Sequence, residues 1–172
     1  VSASHNPYDD NGIKVLARSG TKLPESVEIE IERELASSPP PAAGEPRPLE
    51  PVPTLLEDYL HYLEGLSPKE GRGGAQRIVV DCAHGASWVV APELLKRLGI
   101  DAHVLNAAPN GRNINLRCGA LHPEAMAAET RALGAHLGVA FDGDADRAVF
   151  SSHEGRIMDG DHVLYACACF FD

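Results

Sequence analysis

The chain has 172 residues, with 15 Lys or Arg against 25 Asp or Glu and a formal net charge of −10. That balance argues against a nucleic-acid partner, which needs a clustered basic surface. Hydrophobic residues make up 44%, enough to bury a core. No apolar run approaches the roughly 20 residues that span a bilayer, and no charged-then-apolar signal segment is present, so no membrane role and a cytoplasmic setting are expected.

In chain order, residues 12–17 (Gly-Ile-Lys-Val-Leu-Ala) read as a strand and Gly20-Thr21 as a turn. Residues 24–35 read as an acidic helix opened by Pro24, with Val27, Ile31 and Leu35 on one face. Seven of the 13 prolines then fall between Pro39 and Pro53, which reads as an extended linker. Thr54 with Glu57 forms a capping-box pattern opening a helix that offers Leu55, Leu56, Tyr59, Leu60, Tyr62 and Leu63 for burial. Residues 67–76 read as a Gly-rich charged loop.

Beyond it the order alternates. Ile78-Val79-Val80 reads as a buried strand running into Asp81, and residues 92–98 as a helix stopped by Gly99. Residues 102–105 read as a second strand, 106–119 as a turn-rich loop. Residues 123–133 read as a helix packing through Ala125, Met126, Ala128, Ala132 and Leu133. Residues 137–141 form a third strand that ends at Asp142, and 148–151 with 156–158 flank a hairpin turn. Strand, helix, strand, helix, strand predicts an α/β fold: a three-layer arrangement of parallel or mixed sheet with helices packed on it. The domains expected are residues 1–36, a linker at 37–53, and 54–172.

The four cysteines, Cys82, Cys118, Cys167 and Cys169, lack zinc-site spacing and read as free, mostly buried thiols. The last two lie in an apolar helical run at 163–171. Asp142-Gly143-Asp144-Ala145-Asp146-Arg147 places carboxylates at i, i+2 and i+4 on the carboxyl end of a strand, the edge where open α/β sheets bind ligands. Such a cluster repels itself unless a cation neutralises it, and all-oxygen ligands favour Mg²⁺ over zinc. Read alone, a solvated acidic turn remains the other reading. An EF-hand loop does not fit, because its Gly and Glu positions hold Arg147 and His153. A haloacid-dehalogenase-type loop does not fit Asp146.

Ser2-Ala3-Ser4-His5-Asn6-Pro7 gathers hydroxyl, imidazole and amide groups ahead of a proline that holds Asn6 extended. By itself it suits a nucleophile loop or a simple Asx/Ser turn equally. Lys14 stands on the segment that follows.

Taken together, Ser2–Pro7, Asn11-Gly12-Ile13-Lys14, Gly20-Thr21-Lys22-Leu23, Asp81-Cys82-Ala83 with Gly85-Ala86, Pro109–Asn115 and Asp142–Arg147 resemble the α-D-phosphohexomutase superfamily. Pro109-Asn110-Gly111-Arg112-Asn113-Ile114-Asn115 points to its bacterial phosphoglucosamine mutase branch. The resemblance implies that Ser4 carries a phosphoryl group and that Asp142, Asp144 and Asp146 hold Mg²⁺ with a phosphate oxygen on Ser4. It also implies Lys14 as general acid or base, Arg147 as phosphate-orienting, His5 as support of the serine loop, and a phosphosugar substrate. The implied reaction interconverts glucosamine 6-phosphate and glucosamine 1-phosphate through a 1,6-bisphosphate. Phosphomannomutase/phosphoglucomutase specificity is the neighbouring alternative, and a non-catalytic metal- or phosphate-binding module is the alternative for the chain alone.

The start at Val1, directly in the serine motif, suggests a piece of a longer enzyme: the end of a first domain plus a second, inactive by itself. Two departures from the family pattern stand out. Ala145 replaces a usual Gly, implying strain of roughly 1–2 kcal/mol if the position needs positive φ. His84 replaces a usual Asn and reads as a loop histidine without a ligand role, as do His61, His103, His122, His136, His153 and His162.

Overall fold

The computed structural model describes residues 2–39, 44, 50, 52–67 and 76–171. Most of the Pro-rich linker and of the 67–76 loop lie outside the described residues. The chain forms two compact units, one of residues 1–12 with 53–172 and one of residues 13–52.

In the larger unit, α2 (Pro53–Leu66) precedes β1 (Arg77–Asp81), α3 (Ser87–Arg97) and β2 (Asp101–Leu105). Then come α4 (Glu124–Ala132), β3 (Leu137–Phe141), the hairpin β4 (Ala148–Ser152) and β5 (Ile157–Met158), and α5 (Gly160–Phe171). The sheet runs β2-β1-β3-β4-β5. β1 pairs in parallel with both β2 and β3, while β4 and β5 add antiparallel to the far side. The expected mixed sheet is thus observed.

The chain moves from β1 out to β2, then back across to β3, so right-handed crossovers put α3 and α4 on opposite faces. Strand alternation builds a core on each. Val79 and Ala140 pack with Met126 of α4 and Ala135 on one side, whereas Val80 and Val139 pack with Ala91 and Leu95 of α3 on the other. Gly138, opposite Val79, lets α4 approach: a Cβ there would collide with Met126 Sδ and Thr130 Oγ1. Ser151 and Thr130 are fully buried there, and their hydroxyls lie 3.2 Å apart while Thr130 donates to the Met126 carbonyl at 2.8 Å.

Several expectations are corrected in detail. Residues 12–17 form no strand; their only sheet-like contacts are single bridges, Ser2 with Gly12 in the larger unit and Leu16 with Lys22 in the smaller. A strand needs a ladder partner, and alternation alone does not supply one. Pro24 caps α1 (Glu25–Ser37) from outside, and α1, in the smaller unit, buries none of its residues.

α2 starts at Pro53, so Thr54 lies inside the helix, and Glu57 pairs with Arg97 of α3 through both carboxylate oxygens at 2.8 Å. Of the six side chains offered for burial, Leu60 is fully buried at 1% exposure, while Leu55, Leu56, Tyr59 and Tyr62 are exposed. α3 starts five residues before the expected Pro92. Burial of Ser87 and Ala91 outweighs the interior proline's missing N–H. In α4 the buried face is Met126, Ala127 and Thr130; of the expected stripe Met126 is buried, whereas Ala125, Ala128, Ala132 and Leu133 are exposed.

Cys82 and Cys118 are buried, but Cys167 and Cys169 on α5 are exposed; all four are free. Among the described residues, no helix is long and apolar enough to cross a membrane.

Candidate phosphate and metal site

The parallel strands β1 and β3 end side by side at Asp81 and Phe141, where the direction of chain crossover reverses. Crevices at such a switch point, beyond the strand carboxyl ends, are the usual ligand sites of open α/β sheets. Asp81 is fully buried and accepts the Ala83 N–H at 2.9 Å on one oxygen and the Gly119 N–H at 3.0 Å on the other. It thereby pins both the turn after β1 and the end of the loop after β2. Gly119 is required at that contact, because a Cβ would meet the Ala83 Cβ and the Phe141 carbonyl at 2.5 Å.

The loop after β2 folds back over the turn after β1. The His84 N–H donates to Asn106 at 2.6 Å and the Asn115 N–H to Ala83 at 2.9 Å. His84 takes positive φ, and its Nδ1 accepts the Ala108 N–H at 3.2 Å, a contact that ties the turn after β1 to the loop after β2. The serine loop docks onto this platform. Ser2 Oγ accepts the Ser4 N–H at 2.9 Å, and Ser4 adopts φ 50. The Ser4 carbonyl accepts the Gly143 N–H at 3.0 Å and Asn115 Nδ2 at 2.7 Å, and Nδ2 also donates to the Asn6 carbonyl at 2.8 Å. His5 Nδ1 stands 3.4 Å from Ser4 Oγ. The structure therefore joins the Ser2–Pro7 and Asp142–Arg147 motifs through a backbone bond at the glycine between two aspartates.

In that aspartate loop, Asp142, Asp144 and Asp146 each offer a carboxylate oxygen, and these atoms lie within 4.8 Å of one another. Asp142 is 1% exposed, Asp144 half-buried and Asp146 exposed. The Ala145 N–H closes the turn onto the Asp142 carbonyl at 3.1 Å, with Ala145 at φ 59. Ala145 thus holds the positive φ on which the strain considered for this position depends. One Asp142 oxygen accepts the Arg147 N–H at 3.2 Å; the other is buried without a hydrogen-bond donor. Burial pushes the Asp142 carboxyl up from its ordinary value, the Arg147 N–H opposes this, and the Asp144 and Asp146 charges add to the rise. A buried carboxylate oxygen lacking a donor, beside two more carboxylates, matches the donor set of a hard divalent cation. Arg147 extends past the cluster, its guanidinium 3.9 Å from Asp146. Lys14 is exposed and belongs to the unit of residues 13–52.

Three site-building residues carried no separate functional signal in sequence. Asp81 read as a strand end and, with Cys82 and Ala83, as part of the family pattern, with no role of its own. Gly143 read as a spacer, although its bare Cα is essential: a Cβ would run into the Ser4 carbonyl and lie 2.9 Å from Asn115 Nδ2. Asn115 stands 111 positions from Ser4, beyond any local pattern.

Comparison with known proteins agrees with this construction. Residues 57–155 match the profile described as phosphoglucomutase/phosphomannomutase, alpha/beta/alpha domain II, and residues 1–40 match domain I of the same family. A phosphoglucosamine mutase from Solibacter usitatus is 51% identical over 168 residues, covering 97% of this chain and 37% of that protein. One from Desulfotalea psychrophila is 44% identical, covering 98% and 38%. The chain thus spans well under half the length of these relatives. A crystal structure of a phosphoglucomutase/phosphomannomutase family protein from Burkholderia thailandensis superposes with a TM-score of 0.72 at 26% identity, over 99% of this chain and 37% of that one. Domain profiles, relatives and fold coincide, and the chain belongs to the phosphoglucomutase/phosphomannomutase family.

Proposed function

We propose that this chain is the part of a phosphoglucosamine mutase-type enzyme that carries the phosphorylated serine and the metal loop. The observation that carries this reading is the Gly143 N–H bond to the Ser4 carbonyl, which holds the serine loop on the carboxylate cluster. Identities of 51% and 44% to proteins named phosphoglucosamine mutase favour glucosamine phosphates over other hexose phosphates as substrate. Domains expected at 1–36 and 54–172, joined by the 37–53 linker, remain part of this reading.

In the proposed cycle, a hydroxyl oxygen of glucosamine 6-phosphate attacks the phosphorus on Ser4. Its proton passes to a base, for which Lys14 is the candidate, as the bond from phosphorus to Ser4 Oγ breaks. The resulting 1,6-bisphosphate reverses the step with its other phosphate, so Ser4 is phosphorylated again and glucosamine 1-phosphate leaves. His5, within 3.4 Å of Ser4 Oγ, supports the serine loop, and Arg147 orients phosphate. Asp142, Asp144 and Asp146, with a phosphate oxygen on Ser4, would hold Mg²⁺, which supplies charge neutralisation to the phosphoryl group. Four free cysteines, two of them exposed, suit a reducing compartment such as the cytoplasm.

The test incubates the longer protein carrying this chain with glucosamine 6-phosphate, Mg²⁺ and a hexose 1,6-bisphosphate. Glucosamine 1-phosphate is expected, and a Ser4→Ala variant forms none. Turnover of mannose or glucose phosphates in preference would move the reading to phosphomannomutase/phosphoglucomutase. Folded protein that turns over none of these sugars would sink it.

A further inference from the structure

We propose that Asn115 is the positioning residue that fixes Ser4 against the Asp142–Arg147 loop. The inference rests on reading Ser4 as the phosphorylated residue.

Both hydrogens of the Asn115 amide go to the serine loop, one to the Ser4 carbonyl at 2.7 Å and one to the Asn6 carbonyl at 2.8 Å. The Ser4 carbonyl has two lone pairs, and Asn115 and the Gly143 N–H use both. Ser4 is therefore held from two sides, by the metal loop and by the loop after β2. The orientation of the amide is set by its partners: turned over, its oxygen would face two carbonyl oxygens.

Asn115 is itself firmly placed. It is 9% exposed, its N–H donates to Ala83 at 2.9 Å, and it adopts φ 58, a left-handed conformation that Asn tolerates better than most residues. Behind it, the buried Asp81 carboxylate grips Ala83 and Gly119, which bracket the fold-back of this loop. A line of hydrogen bonds thus runs from the end of β1 through Asn115 to Ser4. Little else fits this position. Asp would set a negative oxygen against two carbonyls, and Gln would carry its amide one methylene beyond the position from which both are reached. The residue acts on the reaction only through the placement of Ser4.

The test uses the longer protein with Asn115→Gly, which keeps the left-handed backbone and removes the amide, and Asn115→Asp, which keeps the shape and removes the donor. Three readouts are taken: amide hydrogen exchange at Gly143 compared with β1 and β3, the rate at which Ser4 takes phosphate from a hexose 1,6-bisphosphate, and Mg²⁺ affinity. In both variants, strand amides keep wild-type protection and Gly143 exchanges about tenfold faster as the carbonyl it serves loosens. Phosphate uptake slows by about 10²-fold, the scale of a misplaced reacting group, while Mg²⁺ affinity is unchanged. Wild-type exchange at Gly143 in Asn115→Gly overturns the proposal. So does a loss of protection spread evenly over β1 and β3 in both variants, which marks a purely structural residue. If the wild type takes no phosphate on Ser4, the phosphoserine reading fails, and exchange at Gly143 alone decides whether Asn115 positions the loop.

Discussion

Ala145 and Asp142 sit three residues apart in the aspartate loop, and substitution of either is expected to raise stability, for different reasons. Ala145 holds φ 59, where an L side chain crowds its own backbone. Ala145→Gly removes that strain but adds freedom to the unfolded chain, so a net gain of about 0.5–1 kcal/mol is expected in urea unfolding. Asp142 buries a carboxylate oxygen that has no donor, and its carboxyl is pushed up by that burial. Asp142→Asn therefore raises the melting temperature of the metal-free protein, at about 2–4 °C per kcal/mol for a chain of this size. The same substitution removes a candidate ligand. Altering mere supports of a ligand costs about 10–100-fold in metal affinity, so calorimetry with Mg²⁺ is expected to show at least that loss. Stability up and affinity down in one variant separates a metal site from an ordinary acidic turn, in which both stay level.

Between elements, Arg97 is the main polar tie of α2 to α3. It makes paired bonds to Glu57 at 2.8 Å, contacts Glu93 at 3.0 Å, and lies 3.7 Å from Glu64. The hydrogen bond to Arg97 chiefly holds the Glu57 carboxyl below its ordinary value, opposed by burial. A carboxyl lowered in the folded state contributes stability above its unfolded value of 4.5, and this is lost as the pH falls through the lowered one. Arg97→Ala is accordingly less stable than wild type at pH 7, and the gap in urea midpoint narrows toward pH 3. Both groups are partly open to solvent, so added salt narrows it too.

Element boundaries also show why sequence reading slipped. Glu57 matched a capping box, yet its carboxylate has a stronger partner 40 residues away. Pro92 matched a helix start, yet packing of Ser87 and Ala91 extends α3 backwards through it. In α4 the many alanines left the phase of the buried face undetermined, and Gly138 in the sheet selects Met126 and Thr130.

Across the whole molecule, the cysteines report which surfaces are sealed. Burial pushes the Cys118 thiol up to about 11, with the Asp81 charge adding to it, and raises Cys82 as well. Cys167 and Cys169 are exposed on α5. With Ellman's reagent, two thiols are expected to react promptly in the native chain and the other two only after unfolding; prompt reaction of all four would contradict the sealed β1 edge. α5 also displays Leu164 and Tyr165, 69% and 74% exposed, as the sequence's apolar run foretold a helix there without saying which face is covered.

The sequence by itself determined the element order of the larger unit from α2 onward, the β3 strand with its aspartate loop, and the family to which the motifs point. These are local properties: alternation, turn chemistry and short runs of charge are written within a few residues of one another. Only the tertiary structure decided that Gly143 bonds Ser4, that Asn115 clamps the serine loop, and that Asp81 anchors both turns beneath it. Those contacts join residues as far apart in sequence as Ser4 and Gly143. They exist because parallel strands β1 and β3 bring their carboxyl ends to one edge, where buried polar groups must find partners.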